Sequence, residues 1–320
     1  MQTGLTRRDF LAASAAVGAS AALAGRLAAA PWQTTLKKSL IGKPTVETLT
    51  AWKEAGFHGI ESNDRGAAPE AAAEARKTAE KLGMKIHAVL YGWANFNQAD
   101  KVEGDVASVA ASLRTCQAYG ADALLLVPCR IGGKDMKMPE AWEFDIEFDE
   151  KTGHVRRVAQ GDNAPFAAYI AAHNQAVDTS RAAVKRLIPT AEKCGVIIAL
   201  ENVWNNLWVK PAFFAHFVRS FDSPWVQAYF DIGNHVKYAP PQEWIKALGK
   251  LIVKCHVKDF KLNPDGHGGK FVHPRDGSID WPAVRKCLDE VGYNGWMTIE
   301  DGGLSLPEFS QRLDKIIAGE

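Results

Sequence analysis

Cysteine is scarce in this sequence, and neither sign of charge predominates. The 320 residues include five cysteines, an odd number with no C-x-x-C pair, which argues against a disulfide framework. We therefore expect the cysteines to be small core residues. The formal net charge is +1, so the composition gives no electrostatic reason to expect nucleic acid or an anionic membrane as a partner.

A long apolar run is also lacking. The apolar segment 10–24 is mostly alanine, and it is too short and too poor in leucine and isoleucine to span a bilayer stably. It follows the pair Arg7 and Arg8, and the combination resembles a Tat export signal, which is an address and not an anchor. This resemblance implies a signal peptide at residues 1–30, cleavage near residues 24–30, and a periplasmic or extracellular mature protein without a membrane span. A disordered or amphipathic leader with a chance arginine pair is the alternative.

The remaining sequence repeats one pattern: a short apolar run, a polar loop and a longer amphipathic segment that often ends at a glycine. Length alone fits two modest domains or one large α/β domain. Strands that alternate with helices predict a parallel sheet, and eight such units predict a (β/α)8 TIM barrel over residues 31–320. The strand candidates are residues 36–42, 58–63, 85–93, 123–129, 196–202, 226–234, 251–260 and 295–301, and the later helix candidates are residues 167–194, 211–220, 241–250, 281–291 and 306–318.

One loop of this predicted barrel is unusually long. Residues 130–165 separate the fourth strand from its helix, and within them EFDIEFDEKTGHVRRVAQ alternates on both sides of a KTGH turn, as in a β-hairpin. Because the insertion follows a strand, it lies on the face where barrels place their active sites. It is therefore interpreted either as a lid or substrate wall, or as a decorative insertion or oligomer contact; a homo-oligomer stays open.

Polar side chains occur near the ends of four successive strand candidates. The stretch IVKCHVKDF places Lys254, His256 and Lys258 on one face of a strand that a barrel would cover on both sides. Three further strands end with acidic residues. Inward side chains of neighbouring strands can converge, and three carboxylates with one imidazole favour a single divalent cation, Mn²⁺ or Mg²⁺ first, with Co²⁺ and Zn²⁺ as alternatives. The proposed metal ligands are Glu201, Asp231, His256 and Glu300. Alternatively, each acid separately caps a helix or pairs with a lysine.

The motifs ALEN, YFDIGN, KCHVKDF and GYNGWMTIED, in this order, resemble the xylose isomerase-like barrel superfamily, in particular its sugar phosphate isomerase/epimerase branch. The resemblance covers nearly all of the chain after the leader and implies the same four metal ligands. It also implies that Glu201 and Glu300 are the catalytic proton carriers of a metal-dependent sugar isomerase or epimerase. One glutamate would remove the proton next to a carbonyl to give a metal-stabilised enediolate. Return of the proton to the same carbon would epimerise it, whereas return to the neighbouring carbon would isomerise the sugar.

Five further residues are candidates for substrate binding. Lys258 can hold a substrate oxygen or pair with a barrel carboxylate, and His87 on the third strand is expected to point to the same mouth as Glu61. The ketose 3-epimerases of this superfamily place a histidine three residues after the metal-binding aspartate. Three residues after Asp231 this chain has Asn234, and its histidine, His235, comes one residue later. Tryptophans after strand ends can stack on sugar rings or simply pack. The set is Lys258, His235, Arg275, His87 and Trp204, with Trp93 and Trp208 as further aromatic candidates.

Other activities are consistent with the same barrel. A lyase could use the same proton abstraction to eliminate a group from a 3-keto-glycoside, and a non-catalytic sugar-binding protein would keep the pocket without needing both glutamates. An endonuclease IV-like phosphodiesterase would need a histidine-rich three-zinc cluster, which the scarce strand-end histidines and neutral charge disfavour. Export and the lack of a glycine-rich phosphate cradle favour a free carbohydrate over a phosphorylated one.

Overall fold

The computed structural model describes residues 32–133 and 136–320, so the expected signal peptide lies outside the described residues. Residues 34–320 form a compact unit. In chain order its strands are β1 (Lys37–Gly42), β2 (Gly59–Ser62), β3 (Lys85–Trp93), β4 (Ala123–Val127), β5 (Phe144–Phe148), β6 (Val155–Ala159), β7 (Ile197–Glu201), β8 (Val226–Asp231), β9 (Ile252–Val257), β10 (Asp259–Leu262), β11 (Gly269–Val272) and β12 (Trp296–Ile299). A closed barrel of parallel strands has the order β1-β12-β9-β8-β7-β4-β3-β2, so the predicted TIM barrel is confirmed.

Helices follow the barrel strands and cover the outside of the barrel. Within the described residues they are α1 (Val46–Glu54), α2 (Pro69–Lys81), α3 (Val102–Tyr119), α4 (Ala167–Cys194), α5 (Pro211–Arg219), α6 (Pro241–Leu248), α7 (Trp281–Glu290) and α8 (Leu306–Ala318). Two of the long helices end at glycines with left-handed backbones, Gly120 at φ 70° and Gly195 at φ 65°. Glycine adopts this conformation without a steric penalty, so the polypeptide can turn back into the next strand.

The core of the barrel explains why its strands read as continuous apolar runs. All five residues of β4 are buried, because one face of a barrel strand packs inside and the other packs against helices. The outer layer is rich in aromatic residues: Trp208 is fully buried and stacks against Phe213 and Phe217, whose ring centroids lie 6.1 and 4.5 Å away. No helix among residues 32–133 and 136–320 is long and apolar enough to cross a membrane.

Two hairpins extend from the carboxyl-terminal end of the barrel. The first, β5 with β6, is antiparallel and lies within the long insertion, as the alternation predicted. It is tied to α4 by a hydrogen bond in which the main-chain N–H of Val155 donates to Asn174 Oδ1 at 2.8 Å. The second, β10 with β11, follows β9 directly and was not anticipated from the sequence. Both hairpins emerge from strands next to β7 and β8, at the end of the barrel where the polar strand ends lie.

Candidate metal centre and active site

The three polar side chains of the IVKCHVKDF stretch each meet an acidic partner. Lys254 Nζ lies 2.6 Å from Asp122 Oδ1 at the amino-terminal end of the barrel. His256 lies at the centre of a carboxylate cluster, and Lys258 Nζ lies 2.8 Å from Glu300 Oε2 beyond the end of β9. The charged face of this strand is therefore neutralised at several levels along the barrel axis.

Four side chains converge at the carboxyl ends of four adjacent strands. Glu201 and Asp231 are the last residues of β7 and β8, His256 is in β9, and Glu300 follows β12. His256 Nδ1 lies 2.8 Å from Glu300 Oε2, 3.3 Å from Glu201 Oε1 and 3.9 Å from Asp231 Oδ2. One ligand atom from each residue can be chosen so that all lie within 4.8 Å of one another. The structure thus brings together the four residues that the strand-end argument selected.

The unsatisfied oxygens of this cluster fit a cation. Within the described part of the chain, the buried oxygens Asp231 Oδ2 and Glu300 Oε2 accept no hydrogen bond of acceptable geometry, although Lys258 Nζ lies 3.2 and 2.8 Å from them. Buried polar atoms without a hydrogen-bond partner are rare, and a bound ion is one explanation for them. Three carboxylates and an imidazole nitrogen are donors suited to Mn²⁺, Mg²⁺ or Zn²⁺. The donor set and the unsatisfied oxygens therefore both fit one divalent cation.

The electrostatics of the cluster are those of a crowded anionic site. Burial raises the pKa of Glu201 to about 7, and burial likewise raises the pKa of Asp231 to about 6. Burial would also raise the pKa of Glu300, but His256 and Lys258 outweigh it and hold that pKa well below its usual range. Burial opposes the charge on His256, yet Glu61 and Glu300 raise its pKa well above the usual value. Raised pKa values and the charged His256 thus reduce the excess negative charge of the site, which a bound divalent cation would neutralise instead.

Lys258 lies within the site, and the asparagine at the family's histidine position lies beside it. Lys258 Nζ is 3.2 Å from Asp231 Oδ2 and donates to Asn234 Oδ1 at 3.3 Å. Asn234 Nδ2 donates to Glu201 Oε1 at 3.4 Å. Asn234 was not selected from the sequence, although its position three residues after Asp231 was the available signal.

His235 lies behind the site and does not face the mouth. The residue is 2% exposed, its ring packs against that of Trp244 with centroids 4.7 Å apart and planes tilted by 55°, and Nδ1 accepts from Asn202 Nδ2 at 3.2 Å. Burial lowers the pKa of this imidazole to about 3. The turn after β8 causes this placement, because Asp231 Oδ1 accepts the main-chain N–H of Asn234 and directs that residue, not its neighbour, toward Glu201. The expected substrate contact through His235 is not supported by this placement.

His87 is another candidate that the structure places elsewhere. It is fully buried, its Nε2 lies 2.8 Å from Ser39 Oγ, and its ring stacks on Trp296, the first residue of β12, at 4.3 Å. His87 is the third residue of the nine-residue strand β3, so six more residues separate it from the end of that strand. The expectation that it points to the mouth was wrong: it belongs to a lower layer of the barrel interior.

Arg275 is also directed away from the carboxylates. Its backbone is left-handed, with φ 80°, and its main-chain N–H donates to Asp259 Oδ2 at 2.9 Å. The side chain lines a surface cavity formed with Glu308 and Arg312 of α8. This cavity lies beside α8, so the expected substrate contact through Arg275 is not supported by this placement.

Aromatic side chains form one wall of the mouth. The indole N–H of Trp204 donates to the main-chain oxygen of Asn234, and its ring lies 5.0 Å from that of Phe271 on β11. Phe271 and Lys258 line a cavity of about 550 Å³ that reaches Glu300. Trp204 lies next to this cavity through Phe271, and its contact with a substrate stays a prediction. Of the other two tryptophans, Trp208 is a core residue, and Trp93 is exposed under the guanidinium of Arg130.

Reciprocal hydrogen bonds that the sequence did not reveal fix the ends of β7 and β8. The main-chain N–H of Asp231 donates to Asn202 Oδ1 at 2.7 Å, and Asn202 Nδ2 donates to the main-chain oxygen of Asp231 at 2.8 Å. The only sequence signal was the position of Asn202 directly after Glu201. These two bonds hold the two carboxylates next to each other.

Comparison with known structures supports the fold. E. coli YcjR, a 3-keto-D-glucoside 4-epimerase, superposes with TM-score 0.64 at 12% identity, covering 89% of this chain and all of that one. A D-tagatose 3-epimerase-like protein has TM-score 0.64 at 19% identity over 88% and 97% of the two chains. The IolI protein, whose structure contains a zinc atom, has TM-score 0.64 at 18% identity over 88% and 98%. Structural neighbours of this chain thus include sugar epimerases.

The sequence comparisons identify the family. Uncharacterized protein MJ1311 of Methanocaldococcus jannaschii is 26% identical over 134 residues, which span 40% of this chain and 44% of that protein's length. The family model described as xylose isomerase-like TIM barrel matches residues 49–311, which include the whole carboxylate cluster. This chain belongs to the xylose isomerase-like TIM barrel family.

Proposed function

We propose that this protein is a divalent-metal-dependent isomerase or epimerase that acts on a sugar or keto-sugar. The observation that carries the proposal is the convergence of Glu201, Asp231, His256 and Glu300 within 4.8 Å at the mouth of the barrel. Catalytic residues of TIM barrels lie at this end of the strands. The sugar epimerases among the structural neighbours support a carbohydrate substrate.

The four side chains would hold the cation, and two of them would also move protons. A divalent cation bound there would polarise a substrate carbonyl and make the adjacent C–H bond more acidic. Glu201 and Glu300 close strands β7 and β12, which lie on opposite sides of β8 and β9 in the barrel. One ionised carboxylate would take the proton from the carbon next to the carbonyl, and the other, already protonated, would give its own proton to the opposite face of that carbon.

The neighbouring polar groups keep these carboxylates in place. Lys258 lies 2.8 Å from Glu300, so it favours the ionised form that can accept a proton and is close enough to contact a substrate oxygen. Asn234 bridges Lys258 and Glu201 through its side-chain amide. The wall formed by Phe271 and Trp204 offers apolar faces that suit the C–H surface of a sugar ring.

Solvent deuterium exchange tests this function. The protein is loaded with Mn²⁺ and incubated in D₂O with a panel of free ketohexoses and 3-keto-D-glucosides, and NMR follows deuterium at the carbon next to the carbonyl. We expect exchange with an intact carbon skeleton, and we expect it to be lost in Glu201→Gln and Glu300→Gln but kept in Glu74→Gln, a surface control on α2. Elimination products would instead favour the lyase, and binding without exchange would favour a sugar-binding protein.

The leader supports a further proposal, that the protein is exported by the Tat route and meets a free carbohydrate outside the cytoplasm. Arg7 and Arg8 are the residues that such an export system would read. Replacement of both by lysine should retain the full-length protein in the cytoplasmic fraction of a Tat-competent bacterial host. Unchanged export of that variant would argue against the proposal.

A further inference from the structure

A fourth carboxylate lies directly behind the metal-site histidine. Glu61, the third residue of β2, is fully buried. Its Oε2 lies 2.8 Å from His256 Nε2 and accepts a hydrogen bond from the Tyr229 hydroxyl at 2.5 Å. Glu61 is separate from the four-residue group that can surround a cation.

The two nitrogens of His256 face different surroundings. Nδ1 faces Glu201, Asp231 and Glu300, whereas Nε2 faces Glu61. An ionised carboxylate can only accept hydrogen bonds. Both ring nitrogens face carboxylates, and a cation bound at Nδ1 would leave the one ring proton on Nε2, where Glu61 Oε2 accepts it. In a neutral imidazole this leaves the Nδ1 lone pair directed at the three carboxylates, which is the form that can bind a cation.

The surroundings of Glu61 fit a specific partnership with the histidine. Glu61 forms an ion pair with His256. Within the described part of the chain, the other oxygen of this carboxylate, Oε1, has no hydrogen-bond partner. A buried carboxylate is costly unless it is paired. The pairing of β2 with β3 shifts register between Ile60 and Glu61, and irregularities of this kind change the direction of a side chain.

Tyr229 also helps to hold this carboxylate in place. Its ring centroid lies 4.4 Å from that of His256, and its hydroxyl bonds the same Glu61 oxygen. The Tyr229 hydroxyl, Glu61 and His256 therefore form a chain of three groups across the barrel interior. Such a chain restricts both the position of the carboxylate and the orientation of the imidazole plane.

We propose that Glu61 is a positioning residue of the metal centre: by accepting the Nε2–H of His256, and itself fixed by Tyr229, it sets the tautomer and ring orientation in which Nδ1 binds the cation. This inference rests on the proposed function, because it presupposes a divalent cation at the four-residue group. It adds a residue from β2, outside the four strands that supply the ligands. Carboxylates that accept the second N–H of a ligating histidine typically contribute about 10- to 100-fold to metal affinity.

Metal affinity of matched variants tests the proposal without reference to activity. Mn²⁺ is titrated into metal-free wild type, Glu61→Gln, Tyr229→Phe and Ser39→Ala, with free Mn²⁺ measured by EPR. We expect about 10- to 100-fold weaker binding for Glu61→Gln and a smaller loss for Tyr229→Phe. Ser39→Ala, which removes another buried hydroxyl of the barrel interior, should bind Mn²⁺ as wild type does.

The folded state of each variant is checked by its melting curve in EDTA. If Glu61→Gln melts earlier but binds Mn²⁺ as tightly as wild type, Glu61 is only a core ion-pair partner and the inference is overturned. If wild type itself binds no divalent cation, the proposed function fails, and the inference falls with it for that different reason.

The histidine tautomer can be read in wild-type protein, so the test does not depend on a variant that folds. Long-range ¹H–¹⁵N NMR of the Zn²⁺-loaded protein should show the His256 proton on Nε2 and the shift of a metal-bound nitrogen at Nδ1. A proton on Nδ1, with Nε2 bound to Zn²⁺, would overturn the inference.

Discussion

Replacement of Asp231 by asparagine should distinguish the effect of the carboxylate cluster on protein stability from its role in binding metal. Asp231 Oδ1 accepts the main-chain N–H groups of Gly233 at 2.8 Å and Asn234 at 2.6 Å. An asparagine oxygen can keep both bonds, while its amide nitrogen replaces the oxygen that faces the metal site. Asp231→Asn should therefore fold and lose metal binding.

The size of the effect follows from the pKa of Asp231, which burial raises from 3.8 to about 6. Each pKa unit corresponds to about 1.4 kcal/mol, so ionisation of this carboxyl lowers the free energy of unfolding of the metal-free protein by up to about 3 kcal/mol at pH 8. Because the pKa is raised in the folded state, wild type should lose this stability as pH rises from about 4 to 6. The variant should not.

Thermal unfolding by circular dichroism measures both effects. In EDTA at pH 8 the variant should melt roughly 5–10 °C above wild type, and near pH 4 the difference should vanish. Mn²⁺ at 100 times its dissociation constant should stabilise wild type by about 2.7 kcal/mol and leave the variant unchanged. Asp178→Asn, on the exposed surface of α4, is the control. A variant that melts below wild type in EDTA at pH 8, or that keeps the Mn²⁺ effect, would refute this reasoning.

Two further substitutions test the electrostatics away from the site. Burial lowers the pKa of His173 on α4 to about 4, so the neutral ring contributes stability above pH 6.5 that is lost as pH falls toward 4. In urea unfolding over this pH range, His173→Gln should therefore lose about 3 kcal/mol less free energy of unfolding than wild type does. Equal losses in the two proteins would contradict the assignment. Asp122→Asn removes the carboxylate 2.6 Å from buried Lys254 and should lower the free energy of unfolding by about 1–2 kcal/mol. This loss is smaller than for a fully buried pair because Asp122 is half exposed. Lys254→Met should lower the free energy of unfolding by less than Asp122→Asn does, and the reverse order would show that the pair is stabilising in itself.

The barrel and its four converging residues could be predicted because both depend on short-range periodicity. Strands that alternate with helices fix a parallel sheet, and the period of two along each strand fixes which side chains share a face. Parallel strands also place all their carboxyl ends at one end of the barrel. Glu201, Asp231 and Glu300 at three such ends, with His256 one residue before the end of β9, were therefore identifiable without distances.

The candidates that the structure places elsewhere depended on how far strands extend and on how loops turn. β3 continues for six residues beyond His87, and the imidazole contacts Ser39 and Trp296 in the barrel interior instead of the mouth. Arg275 follows the β10–β11 hairpin, which the sequence did not reveal; its backbone is left-handed, and it lines a cavity beside α8. Glu61 was recognised only as a residue near the mouth, because its role depends on contacts across the barrel with His256 and Tyr229.

Anomalous diffraction from a crystal grown with Mn²⁺ tests the central claim most directly, because it locates the cation without assuming a substrate. The account predicts one strong peak per chain within about 2.5 Å of His256 Nδ1 and of one carboxylate oxygen each from Glu201, Asp231 and Glu300. A peak located elsewhere, or no peak in a crystal saturated with Mn²⁺, would contradict it.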